Sequence, residues 1–453
     1  MPIPKIPTII VSALAIPDNL CADDLFKYLW EVLSGLLERQ VQVSSYAADG
    51  SAVERSVQQL LKQRATRMEE IHIKHPADDG TMHEDIIIPI FFFDSQPIAI
   101  IQDSKHLLKT CRNNIFSGAQ VPILPNHPIL FSDIRSMALA DSPIYRRDVI
   151  NVDRQDDNAA TRLFCGATLE WLSTRRPEQR GLIIFLFICG EMVDAYQNRF
   201  VSIEERVQMI LRAHFFFELW EKFLEVGGYS KTKHYVSSQC ATIVKTLIQG
   251  FLQLVIIYRD HGEQRPLLPW LLCTEAVEHV FGLCRQIIKD FTMHDFYLMI
   301  PKLFIKLREA FFSTRTSGGK ATASGYCHTH TDTHGINLAA LSTFPTNDEI
   351  QETSVRAYGE AHSIFAYLGL TAEQLYSSII RLPTISSWYN DEEPEDDSED
   401  DDESKSLADE DTDYQKGLDR LENEELSTER DNDTLMNYRY AMVAISIDEQ
   451  ISM

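Results

Sequence analysis

Cysteine is sparse in this chain: eight in 453 residues, and none in a C-x-x-C spacing. A large chain with scattered cysteines reads as a reduced intracellular protein and excludes a small disulfide scaffold. Long apolar runs are missing as well. The best two, "GLIIFLFICG" and "FLQLVIIY", stop at Glu191 and Arg259. Both fall short of the roughly 20 residues a membrane span needs, so they read as buried elements. The opening "MPIPKIPTIIVSALAIPDN" is broken by prolines and carries one lysine, which does not fit a signal peptide. Basic residues are few, 42 against 67 acidic. Much of that imbalance is local. Residues 391–433 hold 22 acidic and 4 basic residues, so −18 of the −25 net charge sits there and −7 elsewhere. A mildly acidic body argues against broad non-specific nucleic-acid binding, which rests on Lys/Arg–phosphate contacts, but leaves a local basic groove open.

What is present suffices for a sizeable core: 44% of residues are hydrophobic, and the length predicts two to three domains. "PTIIVSALAI" reads as a strand. "ADDLFKYLWEVLSGLLERQ" follows with Leu25, Leu29, Val32, Leu33 and Leu36 at helical spacing. "VQVSSYAAD" is the next strand, and "GSAVERSVQQLLKQRATRMEEI" returns to helix. Strand–helix–strand–helix predicts a parallel pair with a crossover. "EDIIIPIFFFD" and "QPIAIIQD" add two strands, and "SKHLLKTCRNNIFSG" a helix ending near Gly118. From about 125 to 260 the pattern is mostly helical. "DDNAATRLFCGATLEWL" predicts one helix with Asp156 or Asp157 as cap. Ser202 and Glu205 form an S-x-x-E capping box before a long helix. "HYVSSQCATIVKTLIQGFLQLVIIYRD" is another. "CTEAVEHVFGLCRQIIKDF" predicts a helix capped by Thr274, on which Glu278, Gly282 and Arg285 share a face. Pro301 falls at a favoured first-turn position for "PKLFIKLREAFF". "TNDEIQETSVRAYGEAHSIFAYLGL" is a last amphipathic helix, and beyond Tyr389 the acidic run has too little apolar content to fold.

Carboxylates at strand ends plus a late helical glutamate are what a metal-dependent phosphoryl-transfer site needs, because two Mg2+ ions held by acids stabilise attacking and leaving oxygens. Asp49 and Asp103 end strands, and Glu278 is the helical acid. Each also has a plainer reading. Asp49 before Gly50 is an ordinary turn signal. Asp103 is placed to cap the following helix. Glu278 could be a solvated helix residue, although Gly282 on its face would let another backbone approach. Lys109 and Arg112 share a helix face and could grip phosphate or be surface charges. His106 could be buried and hydrogen-bonded or functional. Cys327, His328, His330, Asp332 and His334 in "CHTHTDTH" are suitable zinc ligands, but the cluster is local and sits in a loop. "TSGGKAT" fails the P-loop pattern, with Thr314 for the first glycine and Ala321 after Lys320.

Three stretches resemble the P element and THAP-type transposases. "GLLERQVQVSSYAADGSAVERS" resembles the family's helix, strand and turn bearing the second catalytic aspartate, at Asp49. "IIQDSKHLLKTCRNN" is similar to its D-x-x-H-x-x-K-x-x-R-N segment at Asp103, His106, Lys109, Arg112 and Asn113. "TEAVEHVFGLCR" resembles its L-E-N-x-F-G-x-x-R helix, with Glu278 on the catalytic glutamate and Phe281, Gly282 and Arg285 matching. "DNAATRLFCGATLEWL" looks like the opening of the family's insertion. In the other register, Asp49 stands first and Asp103 second. His279 replaces the family's asparagine, and Glu275 an aspartate.

The resemblance implies an α/β fold, an incomplete ribonuclease H-like domain with a large all-helical insertion, and composition adds a disordered acidic C-terminal tail. It divides the chain at 1–122, 123–268 (insertion), 269–315 (returning catalytic helices), 316–388 and 389–453 (tail). It implies Mg2+ held by Asp49 and Glu278 with Asp103 assisting, GTP near Glu275 and Asn158, and DNA on Lys109, Arg112 and Arg285. A nuclear location and a homo-oligomer would fit the same ancestry. In the family the first aspartate lies on a strand before those seen here, so the chain reads as truncated at its start and inactive in strand transfer. The alternative is a non-enzymatic DNA- or protein-binding regulator, its acidic tail meeting basic partners or shielding a basic groove.

Overall fold

The structure is a computed structural model that describes residues 9–13, 21–77, 83–150, 152–262, 265–312, 335–371 and 374–375. Helix α1 (Ala22–Glu38) leads to strand β1 (Ser45–Ala48) and helix α2 (Ala52–Arg64), whose cap is the Ser51 hydroxyl accepting the Glu54 N–H. β2 (Arg67–Ile73) and β3 (Ile86–Phe93) pair antiparallel, and the short β4 (Gln96–Pro97) extends them. β5 (Ala99–Gln102) runs into α3 (Ser104–Phe116), which ends just before Gly118 at φ +69°. A small hairpin, β6 (Ile123–Leu124) and β7 (His127–Pro128), precedes α4 (Phe131–Ala138). Then come α5 (Asp157–Phe164), α6 (Gly166–Arg175), α7 (Arg180–Gln197), α8 (Ile203–Gly227), α9 (Lys231–His234) and α10 (Ser238–His261). Helices α11 (Glu275–Ile287), α12 (Met293–Phe312) and α13 (Asn347–Tyr367) complete the described chain. It is a mixed α/β protein, mostly helical, with three small sheets among the described residues.

β5 is buried on both faces, and so is β3 over residues 90–93, as strands covered on two sides must be, while Ile87 near the start of β3 is exposed. Ile88, Ile90, Phe92, Ala99 and Ile101 face the large helical core, while Phe91, Phe93, Ile98 and Ile100 face α1 and α2. α10 crosses β5 closely because Gly250 has no side chain: a Cβ there would sit 2.8 Å from the Ile100 carbonyl oxygen. Close approach lets Gln253 of α10 join strands that do not pair with each other. Its Oε1 accepts the Ile100 N–H at 2.9 Å and its Nε2 donates to the Pro89 carbonyl at 2.8 Å. Gln58 of α2 donates to the Ile101 carbonyl from the other side at 3.1 Å. Backbone groups that a wider sheet would satisfy are thus satisfied by two buried amides. The large core runs from Ile73 to Leu375.

Several elements differ from the sequence expectation. The parallel partner of β1 is β5, with Ser45 opposite Ala99 and Ala48 opposite Gln102. The first apolar run is not that partner; its described residues 9–13 form no strand, and Ile9 and Val11 are exposed. The helix expected to reach Ile71 stops at Arg64, and Arg67–Ile73 becomes β2. Its Met-Glu-Glu composition favours helix, but seven pairings to β3 override that preference. The single helix over 157–171 breaks at Cys165, which is extended. Pro301 lies inside α12 rather than at its start, because Thr292 and Asp295 cap the helix earlier. The helix N–H that Pro301 lacks would have bonded the carbonyl of Tyr297, which is on the solvent side. The long apolar helix expected over 234–260 forms as α10. By length and composition it could cross a membrane, but 78% of that window is buried in the protein, as in a core helix. The Ser202–Glu205 capping box forms as the spacing predicts. The Cys327–His334 cluster and the 389–453 tail lie outside the described residues.

Candidate functional site

Parallel pairing of β1 with β5 sets the ends of two strands side by side, and an aspartate follows each last paired residue. Asp49 is exposed and enters an Asx turn, its Oδ1 accepting the Ser51 N–H at 2.9 Å. Gly50 takes φ +96°, which glycine alone adopts without strain.

Asp103 is 2% exposed and saturated. Its Oδ1 accepts the N–H groups of Lys105 and His106 at 2.7 and 3.1 Å, capping α3. Its Oδ2 accepts the Thr274 N–H at 3.0 Å and the Thr274 hydroxyl. Thr274 precedes α11, so one carboxylate holds the starts of two helices together. The capping role is therefore observed, and it brings α11, with Glu278, to the end of β5.

Charges gather on that seam. Lys105 of α3 meets Glu275 of α11 at 2.9 Å, with both side chains buried. Lys109, one turn on, meets Asp157 of α5 at 3.0 Å. Burial would push the Glu275 carboxyl up, but the hydrogen bond with His279 and the Lys105 charge hold it at about 2. Glu278 is exposed on α11. Partial desolvation and the charges of Asp103 and Asp157 hold its carboxyl above the usual range, against the pull of Lys109 and Lys105. His106 is pushed down by burial and by Lys109, while Asp49, Asp103 and Asp157 pull it up. Asp49 thus belongs to the same field, acting on His106.

The remaining expected residues are placed as follows. Arg112, expected to grip phosphate, is 1% exposed and donates to the Asp153 and Asp156 carbonyls at 2.5 and 3.1 Å. That corrects both readings of it, surface charge and phosphate grip: its charge is spent fastening the loop before α5. Lys109, also read as a surface charge or phosphate grip, is buried and paired. Arg285 is exposed on α11, and Asn158 is exposed in the first turn of α5. Gly282 was expected to let a backbone approach, but a Cβ there meets nothing within 4 Å among the described residues. Lys105 was not singled out from the sequence, and Asp157 was read only as a candidate cap of its helix, a place that Asp156 takes. The available signal was the i, i+4 spacing of Lys105 and Lys109, which puts two cations on one face of α3 beside an acidic helix start.

No protein-family model matches the chain, and no curated protein matches it. Among solved structures it is similar to one described as the Drosophila P element transposase strand transfer complex, at 14% identity and a TM-score of 0.43. The match covers 66% of this chain and 65% of that one, so it spans just under two thirds of that protein's length.

Proposed function

We propose that the chain is a transposase-derived protein whose acidic site has been closed, leaving it a binding protein without strand-transfer activity. The derivation rests on the motif resemblance at Asp49, Asp103–Asn113 and Glu278–Arg285. One observation carries the functional half: Asp103 accepts four hydrogen bonds, two of them from Thr274. A carboxylate so occupied has little left to offer a metal.

The donor set does not fit a two-ion Mg2+ centre, which needs several free carboxylate oxygens around ions about 4 Å apart. Asp103 is saturated, and Asp157 and Glu275 are paired with lysines. The ammonium groups of Lys105 and Lys109 supply the positive charge that metals would bring. Glu278 and Asp49 remain as the exposed acids. Of the expected DNA contacts only Arg285 is solvent-facing, and of the expected GTP contacts only Asn158. DNA and guanine nucleotide stay within the proposal as ligands to be tested.

The test is a cleavage and strand-transfer assay on labelled duplexes with Mg2+ or Mn2+, run beside Glu278→Gln. The expected result is no product above that variant. Metal-dependent cleavage that disappears in Glu278→Gln would overturn the closed-site reading. Binding is measured by fluorescence anisotropy at low and physiological salt, because phosphate contacts weaken steeply with salt. If neither duplex DNA nor GTP binds, the nucleic-acid half is lost and protein partners remain.

A further inference from the structure

Ligand-type side chains also gather where the β2–β3 connection lies on α8 and α13. Gln351 of α13 fixes that connection by bonding both backbone groups of Lys74, each at 2.8 Å. His75 and His83 come from the connection, and His214 and Glu218 lie one turn apart on α8. His75 Nε2 is 3.2 Å from a Glu218 oxygen. His83 Nδ1 and His214 Nε2 are each 3.9 Å from one. Donor atoms of His75, His83 and Glu218 all lie within 4.8 Å of one another. With metal–ligand bonds of about 2.0–2.1 Å, two corners of a tetrahedron stand roughly 3.3 Å apart. Of the three spacings to Glu218, one is therefore at that value and two need to close by about half an ångström. His75 and His83, within 4.8 Å of each other, must draw together as well, and His214 stands outside that group of three and reaches it through Glu218.

The His75 and His83 rings stack at 4.4 Å with planes 9° apart, so one ring turns before both in-plane lone pairs meet at one ion. Phe215 and Tyr358 present their edges to His75 at 5.5 and 5.2 Å and form an apolar wall.

We propose that His75, His83, His214 and Glu218 form a site for a divalent transition metal of the zinc class, which fastens the β2–β3 connection to α8. Three imidazoles and a carboxylate suit that class and not Mg2+ or Ca2+, which seek oxygen. Four protein ligands fill a tetrahedron, so the site is structural and not catalytic. Without metal, His75 Nδ1 accepts the Ala77 N–H at 3.1 Å, which puts the ring proton on Nε2, facing Glu218. Metal binding moves that proton to Nδ1 and breaks the Ala77 bond, so the chain at 75–77 rearranges.

The experiment is a Co2+ titration of the metal-free full chain, followed by Zn2+ competition. The expected result is one equivalent with the intense visible bands of four-coordinate cobalt, displaced by Zn2+. His83→Gln, on a loop and not expected to threaten folding, should weaken binding by at least ~10–100-fold, as outer-shell changes alone can do that much. His214→Gln should do the same. A His328→Asn/His330→Asn double variant removes the loop cluster as a competing source and should leave the titration unchanged. A weak six-coordinate spectrum would overturn the site. So would tight binding that survives His83→Gln but is abolished by the double variant.

Discussion

Glu275→Ala will destabilise the protein by about 3–5 kcal/mol, the usual result of stripping one partner from a buried ion pair. The variant leaves the Lys105 ammonium 8% exposed with its counter-charge gone. Urea midpoints for the wild type and the variant give the number. Restoring apolar packing with Lys105→Met and Glu275→Leu together should recover most of the loss, because well-packed hydrophobic residues often replace a buried pair at no cost. A loss under about 1 kcal/mol for Glu275→Ala would mean that the pair behaves as a surface contact, and the closed-site reading would lose its electrostatic basis. The same pair makes the fold acid-sensitive. The Glu275 carboxyl is held at about 2, below the ordinary 4.5. Its contribution is therefore fully present above pH 4.5 and is lost as pH falls through 2. At 1.36 kcal/mol per pH unit that is on the order of 3 kcal/mol. Glu275→Gln should flatten the stability profile in that window and nowhere else.

Arg112→Ala separates a structural arginine from a phosphate-gripping one. It removes the donors to the Asp153 and Asp156 carbonyls and opens a cavity against Phe116, over whose ring the guanidinium lies at 5.7 Å. Hydrogen bonds from a charged donor are worth about 1.5–3 kcal/mol each, and the carbonyls keep other partners, so a loss of about 2–4 kcal/mol is expected. Any DNA affinity should stay unchanged in molecules that remain folded. Unchanged stability with weakened, less salt-dependent DNA binding would reverse that assignment and restore Arg112 to a nucleic-acid surface. Arg285→Ala is the companion measurement: being exposed, it should leave stability within about 0.5 kcal/mol of wild type.

Legibility from the sequence followed the strength of local signals. The helix caps at Ser202 and Thr346 carry their instruction within four residues, and both form. The apolar runs of β3 and β5 announce strands buried on two sides, and β5 and the second half of β3 are such, while Ile87 is exposed. Pairing was less legible. Nothing near Ser45 says that its partner is Ala99 and not the earlier run, because a parallel register is set by what covers the strands, here α10 at Gly250. β2 was hidden by helix-favouring Met68, Glu69 and Glu70, all exposed although successive residues point to opposite faces. At the site, Asp103 was readable as a cap from its place before "SKHLLK", but its hold on Thr274, 171 residues away, was not. The ion pairs of Lys105 and Lys109 were equally hidden, since each joins helices far apart in sequence. The histidines of the β2–β3 connection were invisible because their fourth member, Glu218, lies 143 residues from His75.

Gln253 has a consequence for anyone wishing to trim this chain. The carboxamide that stitches β3 to β5 comes from α10, the last helix of the long helical stretch, not from the strands' own neighbourhood. The segment from α5 to α10 is therefore not a detachable cassette. Excising it would strip two strands of partners and leave bare backbone edges that invite strand addition between molecules. Such a deletion should come out of the cell as insoluble material.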